Sequence, residues 1–163
     1  MQNLSKVWRV YVSYSHDTFD PVSMRVRWEI EDMGVRGVEK VKVVQGFRLE
    51  GDLDEDDVKL LCEELLHDPI VQGYTYFLEG EHDIRLDGWI IEVKYKPGVF
   101  DSLASSVLEA SRIIGVDKLS YVETFTLYVL NGCLDYDKVE LIARRCLANP
   151  IIHDYEILPP VKI

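Results

Sequence analysis

An acidic segment in the first half of the chain is the place where the residue types come closest to a metal site. Asp52, Asp54 and Asp56 alternate along it, and Glu63 stands where the twelfth residue of a calcium-binding loop would be. The sixth residue of such a loop makes a sharp turn that favours glycine, but Asp57 occupies that position. Aspartates in this pattern also suit a helix start, where carboxylates accept free backbone N–H groups and complement the helix dipole. The segment therefore predicts a helix start and not a calcium site.

The histidines and cysteines are spaced too widely in the sequence to indicate zinc binding or a redox pair. They are His16, His67, His82 and His153, together with Cys62, Cys133 and Cys146. An odd number of widely spaced cysteines is typical of reduced thiols and not of a secreted disulfide framework. The chain also has no glycine-rich phosphate loop and no Ser/His/Asp arrangement around a nucleophile elbow. We therefore expect no catalytic residue, no bound cofactor and no metal in this chain.

The net charge of this 163-residue chain is −11, which argues against two classes of partner. A strongly acidic surface repels phosphate backbones and anionic lipid headgroups, so neither nucleic acid nor a membrane is expected to bind. No apolar run approaches the ~20 residues that a membrane-spanning helix needs. The first residues also lack the basic start and long apolar stretch of a signal peptide. We expect the protein to be cytoplasmic.

A repeat with an offset of 81 residues is the strongest pattern in the sequence. About twenty positions are identical when the chain is aligned with itself at this offset, and the alignment needs no gap. Self-similarity at a fixed period indicates that one structural unit has been duplicated. The identical pairs include Trp8 and Trp89, Phe19 and Phe100, Asp20 and Asp101, Asp54 and Asp135, Pro69 and Pro150, and Tyr74 and Tyr155.

Each repeat predicts two helices that begin at equivalent aspartates. Asp20 and Asp101 follow a strand-like stretch and precede apolar residues at helical spacing, so we expect them to be N-caps. Pro21 supports this interpretation because proline is tolerated at the first helical position. Asp54 and Asp135 begin the second helices in the same way. The predicted apolar stripes of the first helices are Val22, Val26, Ile30 and Met33 in the first repeat and Leu103, Val107, Ala110 and Ile114 in the second. Those of the second helices are Val58, Leu61, Cys62 and Leu65 in the first repeat and Val139, Ile142, Ala143 and Cys146 in the second.

Strands rich in β-branched and aromatic residues flank these helices. In each repeat we predict a first strand, a pair of short strands between the two helices, and a last strand. The predicted strands are residues 8–14, 38–44, 47–51 and 71–77 in the first repeat and residues 89–95, 119–125, 127–131 and 151–158 in the second. The order β-α-β-β-α-β is that of the ferredoxin-like, or split βαβ, arrangement.

The predicted fold is therefore α+β, a tandem duplication of a ferredoxin-like unit with an antiparallel sheet and both helices on one face. The predicted boundaries are residues 1–79 for the first repeat, 80–87 for a linker and 88–163 for the second repeat. A unit of this size with a one-sided sheet is only marginally stable by itself. We therefore expect the other copy to cover the bare sheet face, around a pseudo-twofold axis.

Two segments of the second repeat resemble the PurS family, the small subunit of phosphoribosylformylglycinamidine synthase in purine biosynthesis. Residues 96–102, KPGVFDS, and residues 146–157, CLANPIIHDYEI, are similar to the two family signatures. Residues 17–23 and 64–74 of the first repeat are similar to them more loosely, so the chain resembles two fused PurS units. The family's Val-Arg-x-Gly-Lys stretch is replaced by VKVVQ at residues 41–45 and by VETFT at residues 122–126.

The resemblance implies that this chain is a non-catalytic assembly subunit of an ATP-dependent glutamine amidoligase. It implies that the chain bridges the large subunit, which binds ATP and formylglycinamide ribonucleotide, and the glutaminase subunit, which releases ammonia. We also expect the chain to form a homo-oligomer. The candidate partner contacts surround the turn after the first strand and the turn after the second helix: Phe19, Asp20, Lys96, Pro97, Phe100, Asp101, Asn149, Pro150 and His153.

A second hypothesis is a small-molecule sensor. ACT-type regulatory domains share the βαββαβ order, and they often carry a Pro-Gly-Val-hydrophobe turn like residues 97–100. The first repeat lacks this turn, and the segment around Pro150 is not a feature of ACT domains. A third hypothesis is a diverged relative that forms its own oligomer and has left the synthase complex.

Overall fold

The computed structural model of the chain describes residues 5–81 and 83–161, so His82 lies outside the described residues. The strands hydrogen-bond in the order β3-β1-β2-β5-β4-β6 and form an antiparallel sheet. A 3-10 turn at Asp17–Phe19 precedes α1, and π-helical turns at Cys62–Leu66 and Ala143–Leu147 extend α2 and α4. The elements are β1 Lys6–Tyr14, α1 Pro21–Asp32, β2 Val38–Gly51, α2 Glu55–Leu61, β3 Gln72–Leu78, β4 Trp89–Tyr95, α3 Ser102–Ile113, β5 Leu119–Gly132, α4 Tyr136–Ile142 and β6 His153–Leu158.

The chain forms two compact units, and each unit combines segments from both halves of the sequence. Unit 1 comprises Met1–His16, Gln45–Ile84 and Phe100–Thr124, and unit 2 comprises Asp17–Val44, Arg85–Val99 and Phe125–Ile163. Helix α3 of the second repeat thus belongs to unit 1, and helix α1 of the first repeat belongs to unit 2. The compact units cut across the predicted repeats, whose boundaries stay a prediction about the sequence.

Unit 1 packs α2 and α3 on one face of its strands. Alternate residues of β1, namely Trp8, Val10 and Val12, are buried because successive side chains of a strand point to opposite faces. They share one hydrophobic core with residues of both helices, such as Val58 of α2 and Val107 of α3. The indole N–H of Trp8 donates to the carbonyl of the residue before the α2 cap at 3.2 Å, which anchors the start of that helix. Strands and helices from different repeats therefore stabilise one core.

Unit 2 is built in the same way from the complementary segments. Ile91 and Val93 of β4 are buried with Val26 and Ile30 of α1 and with Ile142 of α4 in a second core. β4 pairs with β5 on one side and with β6 on the other. Helices of both repeats again cover one sheet face. Whether the other repeat covers the second face stays a prediction.

Each of the long strands β2 and β5 is continuous over 14 residues, so the predicted pairs of short strands were wrong. A hairpin needs a turn with residues such as Gly, Asn, Asp or Pro. The middle of β5 reads Phe-Thr-Leu at residues 125–127, and Gly46 of β2 is buried within its strand. The first half of each long strand belongs to one unit and the second half to the other. Each unit therefore keeps four strands and two helices, and the fold class, a duplicated α+β ferredoxin-like arrangement, is confirmed.

The predicted apolar stripes need two corrections. In the last turns of the second helices the buried residues are Leu66 and Leu147, and the predicted Leu65 and Cys146 are half-buried. The π-helical turn causes the difference because it adds one residue to the last turn and rotates the following side chains. In α3 the predicted Leu103 is exposed. None of the described helices is long and apolar enough to span a membrane.

Candidate functional site

Asp20 caps helix α1 and also ties that helix to strand β2. Its carboxylate accepts hydrogen bonds from the backbone N–H of Ser23 at 3.0 Å and from the hydroxyl of Ser23 at 2.6 Å. The ammonium group of Lys42 lies 3.2 Å from the same carboxylate. The Ser23 hydroxyl oxygen accepts the backbone N–H of Val43 at 3.0 Å. Asp20 is only 2% exposed, so this carboxylate is enclosed within unit 2.

Asp101 makes the equivalent connection in unit 1 by a more direct route. One oxygen accepts the backbone N–H of Ala104 at 2.9 Å, which caps α3. The other oxygen accepts both the backbone N–H of Thr124 at 2.9 Å and its hydroxyl at 2.7 Å. Position 104 has no hydroxyl to relay the bond, so the carboxylate reaches the strand itself. The predicted capping role of both aspartates is confirmed, and each also holds its helix against a long strand.

The turn before α3 has a specific backbone geometry. The N–H of Val99 donates to the carbonyl of Lys96 at 3.1 Å, and Gly98 has a φ of +87°. This is the arrangement of a type II turn, in which proline suits the second position and glycine the third. Pro97 and Gly98 occupy those positions. The Pro-Gly pair is therefore explained by the turn, and it leaves Pro97 exposed at its tip.

In the loop after α4, Asn149, the residue before Pro150, forms hydrogen bonds across the loop. The Asn149 side-chain oxygen accepts the N–H of Ile151 at 3.0 Å, and the Asn149 N–H donates to the Nδ1 of His153 at 2.9 Å. Pro150 and Ile151 are exposed on the outside of the loop. The first repeat builds the same loop with Asp68, whose carboxylate accepts the N–H of Ile70 at 2.9 Å. An Asx turn followed by proline explains the repeated motif.

The structure brings some of the candidate contact residues together within unit 2. The backbone N–H of Lys96 donates to the carbonyl of Ile152 at 2.8 Å, and the ring of His153 lies 5.2 Å from the ring of Tyr95. Lys96 is therefore at the same end of the sheet as His153 and Asn149. Pro97 and Pro150, also in unit 2, directly follow Lys96 and Asn149 in the chain. Phe19 and Asp20 of the same unit lie at the start of α1, and Phe100 and Asp101 belong to unit 1.

The two phenylalanines of the Phe-Asp motifs are unusually exposed for their size. Phe19 is 67% exposed and Phe100 is 75% exposed. The isoleucines after the repeated prolines, Ile70 and Ile151, are exposed to 89% and 81%. Single exposed apolar residues are ordinary on protein surfaces, but here the same positions are exposed in both repeats. The repeat therefore presents two equivalent apolar tips in each copy.

A small pocket lies beside the start of α1. Its cavity volume is about 130 Å³, and its wall includes Asp17 and Lys40. Their groups lie 3.0 Å apart, and the hydrogen bond from Lys40 lowers the pKa of Asp17. Arg27, also in the wall, lies 3.4 Å from Glu31. These charged side chains are engaged in ion pairs within the unit.

The acidic segment begins helix α2, as predicted. The Asp54 side chain accepts the N–H of Asp57 at 2.8 Å, and the Asp57 side chain accepts the N–H of Asp54 at 3.1 Å. This reciprocal capping box satisfies two free donors of the first turn. Among the residues that the structure describes, no group of three or more His, Cys, Asp or Glu side chains is placed to hold a metal ion.

A charged network in unit 1 was missed in the sequence. Arg48 of β2 lies 2.8 Å from the carboxylate of Glu79, and it also reaches Glu50 at 3.3 Å and Glu123 at 3.5 Å. Arg9 of β1 lies 3.5 Å from the same Glu79 carboxylate. These residues meet because neighbouring strands place them side by side.

The repeat itself contains a signal for this network. The positions 81 residues after the two arginines are Ile90 and Val129, which are buried. A charged residue in one copy and an apolar residue in the other indicate that the two copies use this sheet face differently. The arginines could have been recognised by that contrast.

Two compact α+β units with equivalent helix caps and equivalent Asx-Pro loops define a duplicated protein of the ferredoxin-like class. The chain belongs to the PurS family: the sequence model of that family, described as phosphoribosylformylglycinamidine (FGAM) synthase, matches residues 7–80 and again residues 89–159. The chain is similar to phosphoribosylformylglycinamidine synthase subunit PurS of Methanocaldococcus jannaschii, with 30% identity over 70 residues, covering 40% of this chain and 84% of that protein. The resemblance expected from the sequence is confirmed.

Proposed function

We propose that this chain is a structural subunit of phosphoribosylformylglycinamidine synthase in purine biosynthesis, acting in the cytoplasm. It joins the ATP-dependent large subunit to the glutaminase subunit and works by binding, not by catalysis. The observation that supports the proposal is the double family match, which covers residues 7–80 and 89–159. The relative from M. jannaschii bears the name of a synthase subunit, and the matching segment is most of that protein.

The partner contacts are proposed to centre on the two exposed phenylalanines. An aromatic side chain that becomes fully buried contributes roughly 1.5–3 kcal/mol, and such residues are common binding hot spots. Phe19 and Phe100 present most of their surface to solvent. Each phenylalanine directly precedes an aspartate that is hydrogen-bonded both to the helix it caps and to a long strand. The backbone that carries the aromatic ring is therefore held in place. A rigid anchor loses little conformational entropy on binding.

The remaining proposed contacts lie at two turns of unit 2. They are Lys96 and Pro97 before α3, and Asn149, Pro150 and His153 after α4. Lys96 supplies a positive charge at a turn of an otherwise acidic chain, although its ammonium group lies 3.9 Å from Asp154. Asp20 and Asp101 act through the helix starts that they position.

The altered strand stretch supports a contact surface at the turns. At the position of the family's arginine stand Lys42 and Glu123. Lys42 is paired with Asp20, and Glu123 lies 3.5 Å from Arg48. Both side chains are thus used inside this protein. We therefore assign partner binding to the turns and not to this stretch.

Copurification tests the proposal. The tagged chain is coexpressed with the synthase large subunit and the glutaminase of the same organism, and the complex is separated by size-exclusion chromatography. The expected result is one complex that contains all three chains and forms FGAM from formylglycinamide ribonucleotide, with glutamine as the ammonia source and with consumption of ATP. Failure to retain either subunit overturns the proposal. Thermal stabilisation by a free amino acid in the absence of both subunits would instead support the sensor hypothesis.

Two matched variants test the contact surface. Phe100→Ala removes an exposed ring that is proposed to be an anchor, and it should weaken binding of a partner subunit by about tenfold or more. Ile113→Ala is the control, because Ile113 is 82% exposed at the end of α3, the helix that follows Phe100, and lies outside the proposed surface. Equal losses for both variants, or no loss for Phe100→Ala and Phe19→Ala together, would remove these residues from the contact surface.

A further inference from the structure

Strand β3 lies at one edge of the sheet order, and its outward backbone groups can be identified from the pairing with β1. Glu79 donates its N–H to Val7, and Ser15 donates its N–H to Val71. In an antiparallel pair, hydrogen-bonded residues alternate with residues whose N–H and C=O point to the other side. Trp8 lies opposite Leu78, so Val7 lies opposite Glu79 and Ser15 opposite Val71. The odd-numbered residues of β3 therefore hydrogen-bond to β1. The even-numbered residues of β3 therefore direct their backbone groups to the open edge.

Two of these outward groups are already satisfied by local bonds. The N–H of Gln72 donates to the carbonyl of Asp68 at 2.8 Å, and the carbonyl of Leu78 accepts the N–H of Glu81 at 3.2 Å. Among the residues that the structure describes, no strand pairs with this edge. The groups that remain for a partner are both groups of Tyr74, both groups of Tyr76, the carbonyl of Gln72 and the N–H of Leu78.

The open donors and acceptors of β3 match those of a second copy of β3. When two copies of β3 pair antiparallel around Thr75, each Tyr74 faces Tyr76 of the other copy, and the two residues exchange both hydrogen bonds. The N–H of Leu78 then meets the carbonyl of the other Gln72. The N–H of Gln72 and the carbonyl of Leu78, which already have local partners, also lie opposite each other in this pairing. Six backbone bonds form, and no outward donor or acceptor in this strand is left over.

The side chains of β3 suit the same pairing. The strand reads QGYTYFL and carries no charge, whereas natural edges are commonly protected by charged residues or proline. Tyr74 and Tyr76 lie on the same sheet face, so the pairing sets aromatic rings side by side across the junction. Thr75, on the opposite face, is exposed and would meet its own copy.

The other edge of the sheet order provides a comparison. Strand β6 is the counterpart of β3 in the second repeat, and it carries Asp154 and Glu156. Glu156 occupies the position of Thr75, so the same self-pairing of β6 would set two glutamates directly against each other. Pro159 and Pro160 follow the strand at once. One edge is thus protected against pairing, and the other is not.

We propose that the protein forms a homodimer through antiparallel pairing of β3 with β3 of a second copy, around a twofold axis at Thr75. The occupant of the edge is a second copy because the free backbone groups complement themselves. This inference goes beyond the synthase role and does not depend on it.

Charge substitutions at the twofold position test the proposal. Sedimentation equilibrium of the full chain should give a mass of twice 18.9 kDa, or a larger even multiple. Thr75→Lys and Thr75→Glu should each raise the dissociation constant at this junction by about fivefold or more, because like charges would face each other. An equimolar mixture of the two variants should associate again. Glu156→Gln on β6 changes the net charge by as much as Thr75→Lys does, and it should leave association unchanged.

Amide hydrogen exchange of the unmodified protein gives a second measurement that does not rely on a variant. The N–H groups of Tyr74 and Tyr76 should become more protected as the protein concentration rises. The outward N–H groups of β6, those of Tyr155 and Ile157, should show no such dependence. A monomeric protein, or an oligomer that neither Thr75 variant weakens, overturns the proposal, and so does protection of Tyr74 and Tyr76 that is independent of concentration.

Discussion

Replacement of Asp20 by alanine should destabilise the protein more than the loss of an ordinary helix cap. The cap bond to the Ser23 N–H contributes about 1 kcal/mol. The carboxylate is buried and also accepts the Ser23 hydroxyl at 2.6 Å and the Lys42 ammonium group at 3.2 Å. Bonds to a charged group at such a site contribute about 2 kcal/mol more. We therefore expect Asp20→Ala to lower the free energy of unfolding by about 3 kcal/mol.

Urea denaturation followed by far-UV circular dichroism measures this loss. For an m-value of about 2 kcal/mol/M, the expected shift of the midpoint is about 1.5 M. Asp54→Ala is the matched control, because Asp54 caps α2 from an exposed position through local bonds. It should cost about 1 kcal/mol. Asp20→Asn keeps an oxygen for the Ser23 N–H and should fall between the two.

The comparison of the two alanine variants decides the matter. If Asp20→Ala costs no more than Asp54→Ala, the bonds from the carboxylate to the hydroxyl and to Lys42 add nothing to the cap. The assignment of Asp20 as a connection between helix and strand would then be wrong. A change of the m-value together with the midpoint would indicate that the two-state description fails for this variant.

Three further predictions concern single side chains. The hydrogen bond to Glu55 raises the pKa of Tyr76 to about 12. The stabilisation of the folded protein by this hydrogen bond is therefore complete below about pH 10 and is lost as the pH rises toward 12. Glu55→Gln should reduce this loss, as measured by urea titrations at pH 9 and 11. Burial raises the pKa of the Cys62 thiol to about 12, so a thiol reagent should label the exposed Cys133 in the folded protein and Cys62 only after unfolding. Gly51→Ala should cost about 2 kcal/mol, because the added Cβ would clash with the backbone at the start of β5.

Controls separate these effects from general damage. Tyr76→Phe should abolish the alkaline loss, and an unchanged loss would assign it to another group. Rapid labelling of Cys62 in native buffer would contradict its burial. Gly80→Ala tests positive-φ strain without a close contact, since nothing lies near its added Cβ. A normal melting temperature for Gly51→Ala would show that the two strands can separate there at little cost.

The helix starts could be predicted from sequence because their signals are local. An N-cap aspartate bonds to N–H groups only three residues away, as Asp101 does with Ala104. The duplication was equally visible, since it needs only a comparison of the chain with itself. The partners of these aspartates on the strands were not visible. Thr124 lies 23 residues from Asp101, and no local rule selects it.

The continuous strands were mispredicted for a related reason. Residues 38–51 contain two stretches of strand-forming residues, and a folded module needs two strands at this place, so a hairpin was expected. Local propensity cannot tell one long strand from two short ones when the same residues favour both. The absence of turn residues in the middle of β5 was the available signal.

The sequence by itself determined the duplication, the helix caps and the family, because each depends on residue identity over a few positions or on similarity between segments. Only the tertiary structure decided that α3 packs in unit 1 and α1 in unit 2, and that Asp20 and Asp101 hold these helices to the long strands. It also decided which backbone groups remain open on β3. These features depend on which distant segments share a hydrophobic core. Burial of apolar surface stabilises such a core but is not directional, so no short stretch of sequence specifies which segments meet.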